Sequence, residues 1–170
     1  ESEEVSSEGT TETEIGETVE NEGGTFTLHA RSKEPYEFET GPVKLTIEKI
    51  AVASGELKPE MAEMMESDEM DYVQVDIAVE NSSDADISFF AAQGTMATNT
   101  GEQLEPDMLL SEHIEGDMMA NTKANGTVFY VLENSNAEDI ESVRLVFDAP
   151  MDADWNEIGE KIDEEIELEK

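Results

Sequence analysis

At 170 residues, with 37% hydrophobic side chains, no cysteine and a net charge of −35 from nine basic and 44 acidic residues, the chain has material for one domain with tails. The lack of cysteine excludes disulfides, thiolate metal sites and a cysteine nucleophile. The charge excludes a surface for nucleic acid phosphates or anionic lipid headgroups, and leaves cations, basic proteins and cationic wall polymers as compatible partners.

Residues 1–24 hold nine acidic residues, no basic ones, and only Val5, Ile15 and Val19 as large apolar groups. Such a stretch buries too little apolar surface to offset the entropy of ordering, so it reads as a disordered acidic tether held extended by its own charge. No apolar run approaches the roughly 20 residues of a membrane helix. With no initiator Met and no signal peptide, the sequence reads as a mature or trimmed fragment.

Residues 25–150 read as the globular part. Thr25–Ala30 alternates as a first strand, with Phe26 and Leu28 on one side. Lys33-Glu34-Pro35 breaks it, and Tyr36–Glu39 is a short edge piece ended by Gly41-Pro42. Val43–Ser54 is a long strand in which Val43, Leu45 and Ile47 share one parity while Ile50 and Val52 share the other. A β-bulge or a switch between sheets is expected inside it.

Residues 57–70 change character. Pro59 suits the first turn of a helix and Glu60 its positive end, so a short inserted helix is expected. Met61, Met64 and Met65 fall at i, i+3 and i+4 and form one stripe. Thioethers are soft ligands for Cu(I), which makes these three a candidate metal site. Methionine also fills irregular gaps, so the same stripe reads as a cap on an open end of the core.

Tyr72–Asn81 is the cleanest element. Val73, Val75, Ile77 and Val79 fall on one side of an extended chain, the signature of a strand with one face on a core. The turn residues of 81–86 and the apolar Ile87–Phe90 then predict a strand–turn–strand unit. Gly94–Asn99 and Glu102–Leu104 read as strand and return. Residues 106–125 lack firm periodicity and read as a long connection, the expected place for a functional loop. Asn125-Gly126 is a turn signal. Thr127–Glu133 is apolar on both faces, as a doubly covered strand is, and Ile140–Asp148 is another strand. In 151–170, nine acidic residues and two lysines surround Trp155, Ile158, Ile162, Ile166 and Leu168. The expectation is a turn or short helix at 153–161, then an extended piece, the whole forming a C-terminal extension packed on or beside the sandwich, with Trp155 plugging one end. Seven to nine short strands and turn signals without alternating helices give an all-β fold, an antiparallel β-sandwich.

The run Tyr72–Asn81, then Gly101, Pro106 and Asp107, then Gly126–Leu132, resembles an immunoglobulin-like (telokin-like) domain family of uncharacterised function found in Gram-positive extracellular lipoproteins. The resemblance covers roughly 42–150. It implies an immunoglobulin-like sandwich, a lipid-modified cysteine ahead of a polar tether, an extracellular surface location, and membrane contact only through a lipid anchor outside this chain. The family's Pro-Gly step before the last strand is replaced here by Asn121-Thr122-Lys123.

No catalytic constellation is visible: there is no nucleophile elbow, phosphate-binding glycine loop or His-x-x-x-His pair. His29 falls on the outward side of a strand, and His113 lies in the long loop between Glu112 and Glu115. Asp152, Asp154 and Asn156 mimic the start of a calcium loop, but Glu157 stands where glycine is needed and Asp163 where glutamate is needed. Asp84 and Asp86 flank a turn tip and are candidate Ca²⁺ ligands. No cofactor is called for. The expected function is a non-enzymatic, surface-anchored binding module with a protein or envelope partner. The alternatives are a Ca²⁺- or Cu-binding envelope module and, behind it, a carboxylate-based hydrolase, which needs two carboxylates across a cleft.

Overall fold

The valine alternation does form an internal strand, paired on both edges. In the computed structural model, which describes residues 15–21 and 23–170, it is β5 (Glu69–Asn81). Val73, Val75, Ile77 and Val79 are all buried. β5 pairs antiparallel along its length with β4 (Val43–Leu57) on one edge and β10 (Lys123–Leu132) on the other.

The parity change in β4 is a bulge. Its register against β5 shifts between Ile47 and Lys49, so Leu45 and Ile47 before the shift and Ile50 and Val52 after it all point into one core. The other edge of β4 is shared: β3 (Tyr36–Thr40) pairs with its first part and β2 (Gly24–Ser32) with its second. β2 has its own register shift, between Leu28 and Ala30, which puts Phe26 on the outer face and Ala30 in the core. Its free edge is shared in turn, by β1 (Thr18–Glu20) at Thr25–Thr27 and by β12 (Ile162–Glu169) at Arg31–Ser32. β12 leads on to β11 (Ser142–Phe147), β7 (Thr95–Thr98) and β8 (Gln103–Leu104).

The result is one ten-stranded antiparallel sheet curled onto itself as a two-layered all-β fold, with the main core between the layers. Ile50, Val73 and Val75 from one side meet Met96, Leu145 and Phe147 from the other. Phe89 stacks on Phe147 at 6.3 Å. Buried Tyr130 spans the layers and donates its hydroxyl to the Gly94 carbonyl at 2.9 Å. Its phenol pKa is raised, first by burial and then by Glu105.

Four expectations are corrected. The strand–turn–strand unit is no hairpin: β6 (Ile87–Ser88) pairs instead with β9 (Asp117–Met118), away from β5. Asn125-Gly126 makes no turn but sits inside β10 opposite Ala78 and Ile77, where the ladder with β5 continues through it, and the 112–114 segment crosses closely over it. A Cβ on Gly126 would lie 3.1 Å from Ile114 and 3.2 Å from Glu112. The boundaries at 24 and 150 also move. Thr18–Glu20 already belongs to the sheet, and 162–169 is an internal strand joining the layers, since Ile162, Ile166 and Leu168 are buried. The part of the tether before residue 15, and residue 22, lie outside the described residues.

The expected helix is present as α1 (Pro59–Met65), with proline in its first turn and Glu60 near its positive end. None of its residues is buried. It lies against a second, smaller cluster on the outer face of the sheet, not over an open end of the main core. Phe26, Ala53, Met70 and Tyr72 form that cluster, with Met65, Leu110 and Phe129 packed on it. Tyr72 meets Phe26 at 5.6 Å and Phe129 at 5.5 Å, both edge-on, as aromatic quadrupoles prefer. Burial there pushes the Tyr72 phenol up to about 12.

Candidate interaction surface

Asn81 ends β5 and is fully buried, so every polar atom of its amide needs a partner. Its Nδ2 donates to the carbonyls of Ala85 at 2.9 Å and Met119 at 3.1 Å. Its Oδ1 accepts from the Ser83 N–H at 3.0 Å and the Ser83 hydroxyl at 2.8 Å. One side chain thus ties the 82–86 turn to the 117–122 loop. The two candidate calcium ligands belong to the same tie. Asp84 Oδ1 accepts from Asn121 Nδ2 at 3.2 Å, and Asp86 Oδ1 from the Ala120 N–H at 3.0 Å. Among the described residues, no three His, Asp or Glu side chains are grouped as metal ligands.

The three candidate thioethers go different ways. Met65 packs on the outer cluster, the Met61 methyl lies beside Gly23, and Met64 is 45% exposed. His29 occupies the shifted position of β2 and bonds Ser54 Oγ at 2.7 Å. His113 and Glu115 form an exposed pair at 3.1 Å.

The long loop is built more firmly than its sequence indicates. Asp107 donates its N–H to the Phe129 carbonyl at 2.7 Å, and its Oδ1 accepts from the N–H groups of Leu109 and Leu110. Ser111 Oγ accepts from the Phe129 N–H at 2.8 Å, and Glu112 Oε1 from the Thr127 N–H at 2.9 Å. These bonds cover the outer edge of β10, which would otherwise be an open template for another strand. They also hold Met108 and Leu109 in solvent at the tip, 79% and 65% exposed.

A second site of exposed apolar side chains lies where the chain crosses between layers. Asp117, Ser88, Met151 and Glu157 stand side by side in a small antiparallel arrangement. Phe90, Met119 and Trp155 come from these segments or their continuations, and all three are exposed. Trp155 does not plug the sandwich. It is 64% exposed at a left-handed φ of 65°, the third corner of a turn whose Asp152 carboxylate takes the N–H groups of Asp154 and Asn156, both at 2.9 Å. Those bonds hold the Asp152 carboxyl below its ordinary range, the Asn156 amide chief among them. No periodicity marks Trp155 as exposed; the Asp-x-Asp pattern before it was the available signal for a tight turn.

One buried carboxylate stands apart. Glu102 Oε2 accepts from the N–H groups of Glu133 and Asn134, both at 2.9 Å, clamping the end of β10 to the β7–β8 turn. Burial pushes its pKa up, but the Ser135 hydroxyl and these two amides outweigh that, and the net direction is down. Oε2 acts as a structural staple in this way, while Oε1 is buried without a hydrogen-bond partner. An open depression of about 510 Å³ takes its Glu63, Glu66 and Asp68 from the single stretch 57–68.

No protein-family model matches the chain. Over 157 residues, 91% of this chain and 72% of the relative, it is 29% identical to the SPbeta prophage-derived uncharacterized lipoprotein YonS of Bacillus subtilis strain 168. A functionally unknown protein from Listeria monocytogenes EGD-e superposes with a TM-score of 0.57 at 13% identity, over 73% of this chain and 75% of that one. The ycdA protein of Bacillus subtilis, assigned as a lipoprotein, superposes with a TM-score of 0.52 at 13% identity, over 77% of this chain but 38% of that one. The two structural matches establish a shared fold and nothing beyond it.

Proposed function

We propose that this chain is the non-enzymatic interaction domain of a membrane-anchored lipoprotein, displayed on the outer side of a Gram-positive cell. The observation that carries the reading is the similarity to a lipoprotein over 91% of the chain. In this account the lipid anchor lies outside the chain, and the acidic stretch ahead of Thr18 links it to the domain. The immunoglobulin-like relationship is part of the same proposal, resting on the Tyr72–Asn81 and Gly126–Leu132 strands that carry the sequence resemblance.

Binding is favoured over catalysis by where the apolar side chains stand. Met108, Leu109 and Trp155 occupy turns whose backbone bonds are completed by Asp107, Ser111, Glu112 and Asp152, so the turns do not need them. Adjacent apolar side chains held in solvent at one loop tip, as Met108 and Leu109 are, support a contact surface there. The test is to express the whole protein that carries this chain in a Gram-positive host. Intact cells are treated with protease, and the cells are labelled with radioactive palmitate. The expected result is a labelled protein whose domain is shaved from intact cells. A domain protected until lysis, with no label incorporated, would overturn the reading.

A further inference from the structure

Trp155 is the single tryptophan of the chain, and it stands among carboxylates. Asp152, Asp154 and Glu157 flank it within three positions on either side, while Ala153 is the only apolar residue between Asp152 and Glu157 besides the indole itself. The turn is closed by backbone bonds from Asp152 to Asn156 at 2.9 Å, from Trp155 to Asp152 at 3.0 Å and from Ile158 to Pro150 at 2.9 Å. All of these are indifferent to what side chain sits at 155. A left-handed position favours glycine or asparagine, yet it carries the largest side chain in the sequence.

The choice of ligand follows from the charge. An indole face presents negative potential, and neighbouring carboxylates deepen it. Phosphate-bearing polymers are repelled, and a second copy of this chain would bring −35 against −35. A broad apolar protein interface needs a ring of near-neutral contacts around its anchor to exclude water, and three carboxylates, those of Asp152, Asp154 and Glu157, lie within three positions of this indole in the sequence. A guanidinium suits the place: it stacks flat on an aromatic face while its edge pairs with a carboxylate.

We propose that Trp155, with Asp154 and Glu157, is a docking point for an arginine side chain of a basic polypeptide segment. The net charge steers the segment to the domain, and the indole distinguishes arginine from lysine. The inference rests on the domain being an interaction module and names its partner's chemistry.

The test is a titration of the full chain with acetylated hexa-arginine and hexa-lysine at low and moderate salt. Emission from the single tryptophan and calorimetry are the readouts, and neither depends on where the protein resides in the cell. Hexa-arginine should change Trp155 emission saturably and bind more tightly than hexa-lysine. Trp155→Asn suits the left-handed backbone, so it should keep its Tm while losing about two- to fivefold in hexa-arginine affinity, the range of an exposed cation–π contact. Asp154→Asn with Glu157→Gln should weaken binding more than Glu60→Gln with Glu63→Gln, which removes the same charge from α1. Equal affinity of the native chain and Trp155→Asn would overturn the proposal, leaving net charge alone to hold the peptide. So would an emission change with chitotetraose and none with hexa-arginine, which would make the indole a sugar platform. If the domain proves to lie inside the cell but Trp155→Asn still loses hexa-arginine, the envelope reading fails and this one stands.

Discussion

β5 and β12 are both internal strands, yet they are held in place by different means. β5 is paired on both edges over most of its length, its inward face is an unbroken Val-Val-Ile-Val row, and its outward Tyr72 is covered by Phe26 and Phe129. β12 pairs fully with β11 but touches β2 only through Leu168 and Glu169. Its outward row is Asp163, Glu165, Glu167 and Glu169, and even its inward row contains an exposed Glu164. One strand is fixed by apolar burial. The other carries five carboxylates and closes the two layers with three buried side chains, Ile162, Ile166 and Leu168. A fold can therefore seat its closing strand with little apolar surface, provided the neighbouring strand supplies the partners, as Arg144 does for Asp163 in a two-pronged pair at 2.8 and 2.7 Å.

Perturbing each strand sharpens this contrast. The largest effect is expected at the apolar one. Ile77→Ala should destabilise by about 2–5 kcal/mol, seen as a lower urea midpoint with an unchanged slope, because the cavity forms in a site that cannot collapse. A fall in slope instead would show that β5 detaches locally. Next, Asn81→Ala leaves the carbonyls of Ala85 and Met119 without their donor and should cost about 1–3 kcal/mol. Faster amide exchange confined to 82–86 and 117–122, with β5 itself still protected, is the accompanying signature.

Acidification should set the two regions against each other. The folded pKa of Glu102 lies below the ordinary 4.5, so its stabilising contribution is complete above that value and is lost as the pH falls through the lower, folded one. Glu102→Gln should be less stable than the native chain at neutral pH, and the gap in Tm should narrow as the pH drops below 4.5. A constant gap would show that the clamp on Glu133 and Asn134 does not depend on the charge. The smallest effect belongs to β12. Glu165→Gln with Glu167→Gln should raise the Tm at low salt by relieving like-charge repulsion, and the gain should shrink at high salt. A gain that persists at high salt would mean the carboxylates destabilise β12 by something other than their mutual field.

The same contrast explains what could be read in advance. β5, the β4 bulge and α1 were legible because each leaves a periodic trace: a parity of two, a break in that parity, a proline with Met61 and Met65 a turn apart. β12 was legible in part: Ile162, Ile166 and Leu168 marked an extended piece after 161, but its place inside the sheet was hidden because Glu164 interrupts the inward row where the strand has not yet met β2. Asn125-Gly126 misled because a turn signal is local, whereas pairing with Ala78 and Ile77 and the close crossing of Ile114 are not. Trp155 misled for a related reason. Large aromatics are usually covered, and only the turn around Asp152 shows that this one stands outside. Of the candidate site residues, spacing alone could not reveal that Asp84 and Asp86 serve the 118–121 loop, since their partners lie more than thirty residues away in sequence.

The divided edge of β2 has a mechanical consequence. The stretch leading into β1 lies beside Leu28, where the Gly16 N–H reaches the Leu28 carbonyl at 2.7 Å, and β12 finishes beside Arg31. At about 3.3 Å per residue, the two ends of the sheet leave it roughly 10 Å apart along one strand. Tension drawn between residue 16 and residue 169 is therefore resisted within β2 and its neighbours, and the core between the layers lies off the line of pull.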